Sequence, residues 1–153
     1  MMRIFLYILL VFLTFLAPLQ RVNVGELEPV EAVFMIRKGN QLMLYTDTGS
    51  SGVGDSVDSA YLDLVEKTPA VVYLDTAEYL LLSSNAKGDI DAVRHLIKGS
   101  AGVCYFEEGM DIAEVVPYLN VHGHLPKLKH WNGDEPLPVL TAEKIIEKSE
   151  KRG

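Results

Sequence analysis

Hydrophobic and polar positions alternate along this chain with two different periods, and the change of period outlines a fold. The clearest unit runs from Gly52 to Ser84 and reads as turn, helix, turn, strand. Gly52, Gly54 and Asp55 are read as a turn, because glycine tolerates positive φ. Asp55 or Ser56 then supplies a helix cap. Val57, Ala60, Tyr61, Leu64 and Val65 recur at spacings of three and four and so share one helical face, while Asp58, Asp63, Glu66 and Lys67 take the other. Thr68-Pro69 ends the helix, since a residue before proline is pushed out of the α region. Ala70 to Ser84 is apolar, β-branched and aromatic, and too long for one ordinary strand; a break is expected at Asp75-Thr76.

The same reading extends in both directions. Val30 to Arg37 and Gln41 to Asp47 are two apolar runs around Lys38-Gly39-Asn40, which predicts a β-hairpin. The first alternates only loosely, so at least one of its faces is well buried. Thr48 to Gly54 reads as a glycine- and serine-rich loop. Downstream, Asp89 caps a second predicted helix with Ile90, Val93, Leu96 and Ile97 as its stripe, and Ala101 to Glu107 forms another strand. Asp111 caps a third helix (Ile112, Val115, Val116, Leu119), which Pro117 kinks or shortens. Beyond Asn120 periodicity fades, through a proline-rich stretch to a short charged helix over Thr141 to Lys151.

The order β-β-α-β-α-β-α predicts one layered α/β domain, a mixed sheet with helices packed on one face. The expected division is residues 1–20 as export signal or membrane anchor, 21–122 as the α/β domain and 123–153 as a loose tail with a short charged helix. Val33, Met35, Leu42, Leu44, Val57, Tyr61, Leu64, Val72, Leu80, Leu82, Val93, Leu96, Val103 and Tyr105 are the expected core.

The first residues stand outside this pattern. Arg3 precedes Ile4 to Leu16, thirteen positions whose one polar side chain is Thr14. The run is shorter than the ~17–25 residues of an ordinary spanning helix and resembles the apolar part of an export signal. Phe15 and Pro18 spoil cleavage after Ala17, so the segment is expected to stay attached as an anchor, with the domain facing away from the cytoplasm.

Composition narrows the function classes. The chain has 153 residues, 48% of them hydrophobic, enough for one real core. A net charge of −7 argues against nucleic acid or an anionic membrane surface as partner. Cys104 is the sole cysteine, which excludes an internal disulfide, and its apolar neighbours predict a buried, inert thiol.

Candidate chemistry is sparse. Asp47-Thr48-Gly49-Ser50 resembles the active-site loop of aspartic proteases, where two carboxylates share one proton, so a chain with one such loop would act as a dimer. The predicted helices conflict with an all-β protease. His122, His124 and His130 form H-x-H-x5-H, but no cysteine or well-spaced carboxylate completes a metal set, and they read as solvated histidines near Trp131. The chain lacks a nucleophile elbow and a phosphate-binding loop. No catalytic residue, cofactor or metal site is expected, and the chain is read as a non-enzyme.

With these elements in order, the chain resembles the N-terminal domain of the spore germinant-receptor C subunits, the Ger(x)C family. Arg21-Val22-Asn23-Val24-Gly25-Glu26-Leu27 matches that family's segment before its first strand, and Val30 to Ile36 that strand. Gly54-Asp55-Ser56-Val57-Asp58-Ser59-Ala60 and Val71 to Leu82 look like its helix-and-strand unit, and Asp89 to Phe106 like the unit that follows. The resemblance covers roughly Arg21 to Leu119. The family's lipid-bearing cysteine has no counterpart here, since Cys104 lies far downstream. The resemblance implies a membrane-associated scaffolding protein on the outer face of the spore inner membrane, acting in spore germination through contacts with multipass receptor subunits.

Overall fold

The computed structural model describes residues 27–97, 100–107, 109–110, 115–119 and 125–144. Its centre is a six-stranded mixed sheet, β4-β3-β2-β6-β7-β8. The strands are β2 (Ala32–Lys38), β3 (Gln41–Thr46), β4 (Ser51–Gly54), β6 (Tyr79–Leu82), β7 (Gly102–Phe106) and β8 (Val139–Leu140). Strands β2, β6, β7 and β8 run parallel, while β3 and β4 continue the sheet antiparallel from β2. Two further strands, β1 (Leu27–Pro29) and β5 (Val71–Tyr73), pair in parallel as a small second sheet.

The predicted hairpin is present: β2 and β3 meet around Gly39, whose φ of 60° suits glycine. The central helix, α1 (Val57–Lys67), is capped by Ser56, whose hydroxyl accepts from the Ser59 amide, and Thr68 is its C-cap. Val57, Ala60 and Leu64 are buried, Tyr61 is partly buried, and Val65 turns outward. The long apolar stretch breaks where expected: a 3-10 turn over Leu74–Thr76 separates β5 from β6. A second 3-10 turn, Ser84–Asp89, leads into α2 (Ile90–Leu96).

Four sequence expectations need correction. Gly52 and Gly54 do not form a turn; both lie in β4, and neither has positive φ. A Cβ on Gly52 would overlap the Ala60 carbonyl and the Leu64 amide nitrogen, and one on Gly54 would overlap the Ser59 hydroxyl. These glycines let the helix lie directly on the strand. Asp89 occupies the cap position of α2 but makes no capping hydrogen bond. Its carboxylate instead grips Arg37.

The third correction concerns layering. Helices α1 and α2 cover one face, where Val33, Met35, Leu42, Leu44, Leu80, Leu82 and Val103 meet Leu64, Ile90 and Val93. Residues 115–119 are helical, and Val115, Val116 and Leu119 pack on the other face against Ala32, Phe34, Leu81, Cys104 and Phe106. Helices therefore flank both faces, because the inner parallel strands are apolar on both sides. Phe34 and Phe106 meet there edge to face, with ring centroids 5.6 Å apart. The helical turn runs through Pro117; Asp111 and Ile112 lie outside the described residues.

The fourth concerns the supposed loose tail. Leu128, Trp131 and Leu137 are buried in the main core, and Leu140 in the opposite one. Lys127 bridges Gly102, and β8 extends the sheet beside β7. The Trp131 indole donates to the Glu135 carbonyl at 3.0 Å, and Arg94 stacks over its ring. Residues 125–140 thus belong to the domain. Thr141 begins the predicted last helix, of which 142–144 are helical and 145 onward lies outside the described residues.

Candidate functional site

Asp47 sits in the turn joining β3 to β4. Thr46 is buried, and its hydroxyl bonds the Thr48 hydroxyl at 2.6 Å and accepts from the Ser50 amide at 3.1 Å. The Thr46 amide donates to the Ser50 carbonyl at 2.9 Å, and Gly49 supplies the left-handed residue, φ 94°. Asp47 Oδ1 accepts from the Glu31 and Ala32 amides, each at 3.1 Å. The half-exposed carboxylate ties the start of β2 to the turn. That is a backbone-fastening role, built from the short polar residues that make the string look catalytic.

The carboxyl ends of the parallel strands, where open α/β sheets commonly bind ligands, hold a closed ion pair. Arg37 donates through Nε and Nη2 to the two carboxylate oxygens of Asp89, both at 2.6 Å. The hydrogen bond to Asp89 pushes the Arg37 pKa further up. The buried Ser83 hydroxyl accepts from the Arg37 amide at 3.1 Å, finishing the clasp. Both charges are consumed within the chain.

The opposite end carries a cleft of about 400 Å³ lined by Asp75, Thr76, Glu78, Tyr79, Ser100 and Lys127, with apolar Leu125. It opens at the first residues of β6 and β7. Burial, and then the charges of Glu78 and Glu31, push the Tyr79 phenol pKa above its ordinary value. Two carboxylates and one ammonium line the same hollow. Sequence reading missed this cleft because its residues come from three separated segments, each bland by itself.

Of the other sequence candidates, His130 is exposed, whereas His122 and His124 lie outside the described residues. Among the described residues no group of three His, Cys, Asp or Glu could hold a metal. Cys104 is buried in β7, and burial pushes its thiol up to about 12. No described helix is long and apolar enough to cross a membrane; Ile4 to Leu16 lies outside the described residues. Compared with known proteins, the chain matches no family model, no curated protein and no solved structure.

Proposed function

We propose that this chain is a non-enzymatic binding or scaffolding module held at the outer side of a membrane by its N-terminal segment, in the manner of a spore germinant-receptor C subunit. The observation that carries the reading is the thirteen-residue apolar run behind Arg3, joined by a short polar connector to one layered α/β domain. The pattern from Arg21 to Leu119 that resembles the Ger(x)C family supplies the partner class, multipass receptor subunits. Asp47, the sharpest catalytic candidate, has one carboxylate oxygen committed to two backbone amides of its own chain, so no observation favours the protease reading.

The deciding experiment is crosslinking of the full chain in native membranes, followed by identification of what it captures. Multipass proteins bound to a membrane-retained chain support the reading. A chain found wholly in the soluble fraction, lacking residues 1 to about 20, would overturn the anchor. Peptide hydrolysis that disappears in Asp47→Asn would establish the protease instead.

A further inference from the structure

The small sheet lies where the chain enters the domain. Parallel pairing sets Leu27 beside Val71 and Pro29 beside Tyr73. Because side chains alternate along a strand, these four share one face and Glu28 and Val72 the other. Val72 joins the main core, and Glu28 accepts from the Ser50 hydroxyl at 3.2 Å. The outer face is different: Val71 is 46% and Tyr73 41% exposed, Pro29 is exposed, and Leu27 is half-buried. Four uncharged, largely apolar side chains are left facing outward on a protein of net charge −7.

The chain's own layout says what lies close to that face. Ten residues, 17–26, separate Leu27 from Leu16, the last residue of the apolar run. At the ~3.3–3.6 Å that each extended residue spans, the connector reaches at most about 40 Å. A bilayer holding the run is therefore always within reach of β1. Tyrosine suits the boundary between headgroups and acyl chains, where its ring is apolar and its hydroxyl wet. With no cation among these four described residues, the face offers anionic headgroups nothing to pair with.

We infer that the face made by Leu27, Pro29, Val71 and Tyr73 is the membrane-proximal surface of the domain and seats on the headgroup region of an uncharged bilayer. The inference rests on the proposed membrane attachment and adds the domain's orientation to it. The seated domain would present its opposite side, away from the lipid, to partners.

The test uses the full chain in phosphatidylcholine vesicles, with an environment-sensitive fluorophore at Val71→Cys or Tyr73→Cys, and at Lys87→Cys as a distant exposed control. Buried Cys104 stays unlabelled in the folded protein. Flotation reports attachment, and quenching by lipids spin-labelled near the headgroup reports seating. The expected result is co-flotation of every variant, with emission shifted to the blue and mostly quenched at 71 and 73, and unchanged at 87. Co-flotation with water-like emission at 71 and 73 would overturn the seating and leave attachment standing. Failure to float would overturn attachment, and the seating with it. Shielding at 71 and 73 without lipid would assign the face to a protein contact instead.

Discussion

Gly52 and Gly54 show two uses of glycine that a sequence string cannot separate. Neither has the left-handed backbone; what each provides is the missing Cβ under α1. Gly49 is the reverse case, with φ 94° and open space around its Cα. Gly52→Ala should therefore cost about 3 kcal/mol or more, the upper end of overpacking, because the obstructing atoms include backbone. Gly49→Ala should cost only the left-handed penalty of about 1–2 kcal/mol. Urea unfolding of the two variants measures the difference, and equal losses would contradict the packing account. Asp47 supplies the other residue-scale prediction. Asp47→Ala frees the Glu31 and Ala32 amides at the start of β2 and should cost about 1–2 kcal/mol. Asp47→Asn keeps an acceptor oxygen and should cost less, as thermal melts of both would show.

At the scale of the element, the edges of the main sheet are guarded by side chains. Strand β4 is an outer strand, and its Val53 amide donates to Asp63 of α1 at 2.8 Å, while Lys67 holds the same carboxylate oxygen at 2.6 Å. An unpaired edge amide invites another chain; here a helix answers it. The Lys67 hydrogen bond, and then the Val53 amide, lower the Asp63 pKa from 3.8. A carboxylate with a depressed folded pKa stabilises the fold above its unfolded value and loses that contribution as pH falls through the folded one. The Val53 amide resonance should accordingly titrate below pH 3.8, and the transition should vanish in Asp63→Asn. A Val53 shift that stays constant down to full protonation would dismiss this contact.

Legibility also divides by element. The hairpin, α1, the break at Asp75-Thr76 and β7 were readable because each carries a local signal: a turn residue, a period, a proline. Of the expected core, Tyr61, Leu96 and Tyr105 are only partly buried, and the rest is buried. Strand β4 was missed because its glycines satisfy a helix that lies across it, a tertiary demand with no local trace. The opposite core was missed because Phe34, Leu81 and Phe106 sit in runs apolar throughout, where alternation gives no clue to a second face. The cleft was invisible for a related reason: Asp75, Glu78 and Lys127 meet only once the sheet has formed.

For the whole molecule, the decisive part is the stretch without periodicity. Leu128, Trp131 and Leu137 fill the main core although their spacing follows neither a helix nor a strand. Trp131→Ala should cost about 3–5 kcal/mol, as large core aromatics do, and lose the contact with Arg94. A chain ending at Leu119 should fail to give a cooperative melt, since it would strip Leu128, Trp131 and Leu137 from the main core. A sharp, near-native transition in that shortened chain, followed by far-ultraviolet circular dichroism, would place the end of the folded domain near residue 122.

The parallel pairing of β2 with β6 has a consequence for the order of events as the chain leaves the ribosome. Strands β2 to β4 and α1 are neighbours in sequence, and contacts of that kind close quickly. They can assemble while the later chain is still being made. Ala32, however, finds Tyr79 only after forty-six intervening residues, and β7 receives β8 only when Leu140 has been made. Until then Leu81 and Cys104 lack part of their cover. A protein delivered N-terminus first would thus wait, half-zipped, for its last strand, and a chaperone acting on it would have to recognise the open side of β7.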